Sequence, residues 1–522
     1  MPDIVEYIKC IKEISYVNPY NITAEEDEYY RKIQQEVLKK GRKEAINEIK
    51  SFLNQCELER KIYIYSFLVD VMGEANIILD FVELILNESR LSPETKYFLY
   101  GQIKYKLFIG KVNSDISVNL AMYKLFQSIV QEFRSNLKQE LAWIPEESRN
   151  KNRVLIIAEQ ILNIFHGPTK SAMARAAALM KMGKQVLLLN TAEQMSGEGA
   201  VFSYGVRLGN YKEENSTLEY MNWKGTVIPF FQCDRNMPNI EAIECLLNMV
   251  KQLKPYYVVS IGGDGIFVSL LNEMLPVLTV GMVPSAIGTS LAKYQTLGRK
   301  LKESDREYLQ KIGKSDKNVI EHKFTSDLRE QQVTLSREAV GIKPDVFVLV
   351  TVGGRLEDEL TDEFWEMIEQ VFDAENIELI LLGQFLREQE VLEKHSILRK
   401  RLHVMGAVNE VLAYLELCDL YVNPIRTGGG TSCVEAMFKG LPIVTTEKGD
   451  VAVNAGNEFV VNDYEEMRNC ILRYKGDAEF YKMQTKKAKK RAELLLDTDS
   501  AFKEVIKEFS AREGLEFEGD NF

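Results

Sequence analysis

The chain has 522 residues, enough for two to four ordinary domains, which excludes a single small binding module. Sixty-five basic residues against 77 acidic ones leave a formal charge of -12, and this excess of acid disfavours a general binder of nucleic acid or of anionic membrane. Hydrophobic residues at 45% and charged residues at 27% describe an ordinary globular chain, neither disordered nor fibrous.

The opening segment MPDIVEYIKC lacks the basic run and apolar core of a secretory leader, and no apolar run in the chain is long enough to span a bilayer. Cys10, Cys56, Cys233, Cys245, Cys418, Cys433 and Cys470 are scattered without a CxxC pair, which fits free thiols in a cytoplasmic protein and offers no zinc site. From Met1 to about Arg149, segments such as KIQQEVLKKGRKEAINEIKSFL and MYKLFQSIVQEFRSNLKQEL repeat apolar residues every three or four positions. Residues 1–149 are therefore expected to form an all-helical domain, and the absence of a fixed repeat favours an irregular bundle over a solenoid.

At Arg153 the pattern changes. RVLIIAE, QVLLLNT, TVIPFFQ, YYVVSIG and VLTVGMV predict five strands separated by helical stretches, as in a parallel sheet with crossover helices. A second series, VFVLVTVGG, IELILLG, RLHVMG, DLYVNP and LPIVTTE, alternates with helical text such as TDEFWEMIEQVF. The expected architecture is α/β, with two Rossmann-like domains over residues 150–325 and 326–522 facing a cleft, behind the helical domain. Lys300 to Lys343 reads as a helix plus the connection. The last helix, AFKEVIKEF, is expected to be capped by Asp499 or Ser500 and to return to the first half. Ligands of such sheets bind at the strand-to-helix loops, so function is sought there.

The most informative loop lies in DLYVNPIRTGGGTSCVEAMFKGLPIV, residues 419–444. A strand ends at Asn423, Gly428, Gly429 and Gly430 follow Thr427, and a helix opens at about Thr431 and Ser432. Glycines let backbone amides approach phosphate oxygens, and the positive end of the helix stabilises their charge. Glu435, one turn in, is placed to accept hydrogen bonds from a ribose diol. A plain helix start with an exposed acid has the same pattern.

This run resembles the nucleotide-binding segment of GT-B glycosyltransferases, and the resemblance extends over about residues 150–515. It implies a nucleotide-sugar donor, with a UDP donor expected, held by residues 423–435. In TVGGRLEDEL, Gly353 and Gly354 match the family's Gly-rich turn, with Arg355 as the cation on the diphosphate. HVMGAV, with His403 and Ala407, matches the base-binding loop. HGPTKSAM is similar to the His-containing first loop of the GT41 group, the O-GlcNAc transferases and the bacterial cytoplasmic adhesin glycosyltransferases. There His166 would act as a base or sugar contact, beside Gly167 and Thr169. The small-residue turn in VGMVPSAIGTSLAKYQTLGR suggests sugar or acceptor contacts from Ser285, Gly288, Thr289 and Lys293, although packing alone would also explain it.

Many retaining GT-B enzymes carry two glutamates eight positions apart, and here Thr427 stands where the partner of Glu435 would be, which favours inversion. A helical domain before two α/β halves matches the layout of the GT41-like protein glycosyltransferases, implying a polypeptide acceptor. A glycan acceptor and a catalytically inactive binding protein are the alternatives. No basic amphipathic stripe is read that would favour a lipid-linked acceptor. SIGGDGIF resembles the GGDG loop of NAD and diacylglycerol kinases, but Ile266 stands where Thr usually follows. Asp497-Thr498-Asp499 has the form of a manganese-binding DxD, yet its place at a helix start reads as a cap, and no essential metal or further cofactor is expected.

Overall fold

The computed structural model describes residues 41–109, 115–164, 166–193 and 210–517, together with Lys32 and Gln35. The segment on which the leader reading rests lies outside them. Five helices, Arg42–Leu53, Leu58–Met72, Ala75–Asn87, Pro93–Phe108 and Ile116–Asn136, form the described part of the helical domain. Capping follows local chemistry: Ser92 accepts from the Thr95 amide ahead of Pro93 at the first helical position, and Asp115 accepts from the Val118 amide at 3.0 Å.

The first lobe is an eight-stranded sheet built from β1 (Asn150–Ala158), β2 (Gln185–Asn190), β3 (Tyr220–Trp223), β4 (Thr226–Gln232), β5 (Pro255–Gly262), β6 (Val277–Gly281), β7 (Tyr294–Leu297) and β8 (Val319–Glu321), in the order β3-β4-β2-β1-β5-β6-β7-β8. Only β3 runs antiparallel, against β4. The second lobe carries β9 (Phe347–Val352), β10 (Ile377–Leu382), β11 (Leu402–Val404), β12 (Leu420–Val422), β13 (Ile443–Thr446) and β14 (Val460–Val461), all parallel, in the order β11-β10-β9-β12-β13-β14. All ten strands expected from the sequence are present, in the two-lobed arrangement expected. Short β3, β7, β8 and β14 are additions, and β8 falls inside the segment read as helix plus connection, after the Glu303–Lys311 helix.

Both faces of each sheet are covered, which explains the unbroken apolar runs. In β1, Leu155 and Ile157 enter a core continuous with the helical domain, whereas Val154, Ile156 and Ala158 enter the core of the opposite face. That second core is closed by the Gly167–Lys181 helix and by the final Thr498–Glu513 helix, which does return to the first lobe. The cap differs from expectation: Asp497, not Asp499 or Ser500, accepts from the Ser500 amide at 3.0 Å, because the helix begins one residue after it.

Phe502, Val505, Ile506 and Phe509 form the buried face of this last helix, and Phe509 sits edge-on to Tyr257 and Tyr294 at 5.5 and 5.7 Å between ring centres. Truncating Phe509 leaves a cavity between those rings. Phe509→Ala is expected to cost about 3–5 kcal/mol in urea unfolding of the whole chain; a loss under about 1 kcal/mol would mean the helix is not part of the first lobe's core.

Candidate active site

In the second sheet the chain runs outward from β9 in one direction through β10 and in the other through β12, so the loops after β9 and β12 flank the point where strand order reverses. The β9 loop carries Gly353, Gly354 and Arg355, and the β12 loop carries residues 423–430. Arg426 ties them together. Its Nε donates to Asn423 Oδ1 at 2.7 Å, one terminal nitrogen to Glu359 Oε2 at 2.6 Å, and the other to the Val352 carbonyl at 2.8 Å and the Tyr421 hydroxyl at 3.0 Å. The other Glu359 oxygen accepts from Arg355 at 3.0 Å.

Glycine is demanded here by arginine as well as by any ligand. A β-carbon at Gly353 would come within 2.5 Å of the Arg426 guanidinium, one at Gly428 within 2.5 Å of Arg355, and one at Gly429 within 2.6 Å of Arg426. Gly429 also has φ +95, from which the helix Gly430–Lys439 begins. The first amides of that helix have no acceptor inside it, and the residues that carry them, Gly430, Thr431 and Ser432, line a cavity together with Gly428 and Gly429. Arg355 lies beside them with its Nε unpartnered among the described residues.

The opposite wall comes from the first lobe and the helical domain. His166, Gly167 and Lys170 open the Gly167–Lys181 helix, Met282, Val283 and Pro284 follow β6, and Phe108 ends the Pro93–Phe108 helix. Together with the second lobe they enclose a cavity of about 590 Å³, within the roughly 300–1,000 Å³ usual for small-molecule sites. Contacts across the cleft are specific. Lys170 Nζ lies 3.2 Å from Glu435 Oε1, Ser285 Oγ donates to Asp450 Oδ1 at 2.7 Å, and Thr427 Oγ1 donates to the Phe108 carbonyl at 2.6 Å. The Arg355 guanidinium stacks over the Phe108 ring at 4.7 Å.

Of the residues expected from sequence, the structure brings Gly353, Gly354, Arg355, Gly428, Gly429, Gly430, Thr431, Ser432, Glu435, His166 and Gly167 to this one cavity. Thr169 is buried behind it, its hydroxyl 3.0 Å from His166 Nδ1 and accepting from the Leu162 amide. The rest are placed otherwise. Asn423 is sealed inside as a brace, bonded to Arg426 and to Thr445 Oγ1. His403 turns along the sheet to Glu378 Oε2 at 2.7 Å, and residues 408–412, rather than His403 or Ala407, line the cavity, because β11 ends before the loop reaches it. Thr289 bonds the Tyr100 hydroxyl, Gly288 lies outside the lining residues, and Lys293 pairs with Glu513 of the last helix. Ser285 holds the second lobe through Asp450.

Arg426, Glu359, Lys170, Asp450 and Phe108 were not read from the sequence. Arg426 stood in the loop between strand and glycines and Lys170 inside HGPTKSAM, so both had a local signal; the others are joined to the site only by the fold. The GGDG loop has a packing role. The carboxylate of Asp264 accepts from Thr279, from Ser290 Oγ at 2.6 Å and from the Leu291 and Ala292 amides, and a β-carbon at Gly265 would overlap Glu193. Burial pushes the Glu193 carboxyl up to about 8. No three His, Cys, Asp or Glu among the described residues are grouped to hold a metal.

Residues 347–477 match the family described as glycosyl transferases group 1. No curated protein matches the chain in sequence. Among solved structures, an O-GlcNAc transferase mutant from Thermobaculum terrenum is 12% identical over 98% of this chain and 96% of its own, with a TM-score of 0.55. A glycosyltransferase from Rickettsia africae is 11% identical over 70% of this chain and 99% of its own, with a TM-score of 0.51. Anabaena HepE, in complex with UDP-glucose, is 12% identical over 69% of this chain and 99% of its own, with a TM-score of 0.50. The fold is GT-B. With a glycosyl transferases group 1 domain forming the wall that carries Arg355 and the Gly430 helix, the protein is a glycosyltransferase of GT-B type.

Asp450 is the titratable group of this site whose environment is most telling. Burial pushes its carboxyl up to about 6, against the opposing pull of the Ser285 hydrogen bonds and of Arg355 and Arg426. The folded protein therefore keeps a proton that the unfolded chain has lost above about pH 4, and ionising Asp450 between those values destabilises the fold. Wild type should lose about 3 kcal/mol relative to Asp450→Asn as pH rises from 3.5 to 7.5 in paired urea titrations; parallel curves would place the carboxylate in solvent.

Proposed function

We propose that the protein transfers a sugar from a UDP-linked donor to a polypeptide side chain, with inversion at the anomeric carbon, in the cytoplasm and without an essential metal. The observation that carries this reading is one cavity. In it a helix N-terminus and an arginine with a spare buried donor stand across from His166. A departing diphosphate needs positive charge, which the amides of Gly430, Thr431 and Ser432 would supply as they stand and the Arg355 guanidinium by turning toward them from Glu359 and Phe108. Glu435 is positioned for the ribose, with Lys170 beside it.

In the transfer, the acceptor oxygen attacks the anomeric carbon as His166 takes its proton. The bond from that carbon to the diphosphate oxygen breaks with the electron pair on oxygen, which the amides and Arg355 hold. His166 is half-buried at the mouth of its helix, oriented by Thr169. A polypeptide acceptor is favoured by the layout: the structural likeness to the O-GlcNAc transferase spans the helical domain as well as both lobes. The UDP reading draws on the likeness to HepE in complex with UDP-glucose.

Calorimetry with UDP tests the site. Arg355→Ala should weaken UDP binding roughly 10- to 100-fold, the worth of a charge-assisted hydrogen bond, whereas His166→Ala should leave it within about two-fold and abolish sugar transfer. UDP affinity unchanged in Arg355→Ala, or lost in His166→Ala, would overturn the assignment; donor hydrolysis absent at high enzyme concentration would mark a binding protein instead.

A further inference from the structure

The helix Ala478–Leu496 packs on Gly430–Lys439 through Gln484, Ala488, Ala492 and Leu495. Its outer face carries Lys482, Lys486, Lys487, Lys489 and Lys490, all exposed, with no acid between Phe480 and Ala492. At 100° per residue these lysines cover an arc of about 160° opposite the buried stripe. Glu479 and Glu493 stand at its two ends.

None of the five ammonium groups has a hydrogen bond or ion pair among the described residues. Some exposed lysines elsewhere are neutralised, as Lys151 is by Glu516, Lys181 by Asp499 and Lys224 by Asp327, and others, such as Lys124, Lys343, Lys400 and Lys448, are not; what distinguishes this helix is that five unpaired lysines share one arc. In a chain of net charge -12, this is an unbalanced cationic strip. Within the same arc Met483 and Leu494 are 48% and 44% exposed. Phe438, 45% exposed, lies two residues before Gly440, across which the Lys489 stem packs.

We propose that this face docks on an anionic lipid surface. Its lysines would meet the headgroups while Met483, Leu494 and Phe438 enter the interface. Three features favour a bilayer over a polypeptide or nucleic acid. The face is the convex side of one helix, none of whose residues lines the cleft; its charges are spread rather than pocketed; and apolar side chains are interspersed with flexible ammonium stems. Acids more than about 8 Å away are screened at physiological salt, so the overall negative charge does not cancel the strip. The strip departs from the sequence expectation of no basic amphipathic stripe, and its docking is independent of what the cleft transfers.

The test is co-sedimentation of the full chain with vesicles of phosphatidylcholine alone or with 30% phosphatidylglycerol. Binding is expected only to the anionic vesicles, falling at least ten-fold between 50 and 500 mM salt. With each lysine near such a surface contributing about five-fold, Lys486→Gln/Lys487→Gln/Lys490→Gln should weaken binding about 100-fold. Its thermal melt should match wild type, since glutamine suits an exposed helix. No sedimentation with anionic vesicles, equal binding by the triple variant, or tighter binding to polyglutamate or single-stranded DNA than to vesicles would each overturn the proposal.

Discussion

A guanidinium sealed from solvent holds the switch point of the second sheet together. The Arg426 side chain is 2% exposed and its Glu359 partner 4%. Their pairing is affordable because the remaining donors of Arg426 reach Asn423, Val352 and Tyr421, and the second Glu359 oxygen is taken by Arg355. Buried charges of this kind are costly unless fully partnered, and removing one partner typically costs about 3–5 kcal/mol. The consequence for function is positional. Glu359 orients Arg355, and Arg426 fixes the turn before Gly428, so the cation and the helix amides are set side by side before any ligand arrives.

The site is completed by parts distant in sequence. Phe108 from the helical domain covers Arg355 and accepts from Thr427, while Ser285 and Lys170 of the first lobe bond to Asp450 and Glu435 of the second. The helical domain is also no detachable appendage. Leu155, Ile157, Val258 and Val277 of the first sheet share its core, so removing residues 1–149 would expose that sheet face and confound loss of acceptor binding with unfolding.

Much of the fold was legible because parallel strands covered on both faces must be apolar throughout, as RVLIIA, IELILL and LPIVTT are. β7 and β8 escaped notice because YQTL and VIE are too short and too polar to stand out. In the site, the meeting of Gly428 to Gly430 with Arg355 at one cavity was legible because each stands in a loop that closes a strand of the same sheet. Glu359 was not: its meaning comes from Arg426, 67 residues away, and only the strand order brings them together. His403 and Lys293 were misplaced for the converse reason. Their loops resemble ligand loops in sequence, yet the side chains are claimed by Glu378 and Glu513. The outer lysines of Ala478–Leu496 were in plain view as letters, but only the packing shows that none of them is neutralised.

The proposed function requires that a diphosphate be held between Arg355 and the start of the Gly430–Lys439 helix. A crystal structure of the protein with UDP tests this most directly. The predicted result is both phosphates within hydrogen-bond distance of the Gly430–Ser432 amides and the Arg355 guanidinium, with the ribose at Glu435. Phosphates bound outside the cleft, or inside it with Arg355 still turned wholly to Glu359 and Phe108, would contradict it.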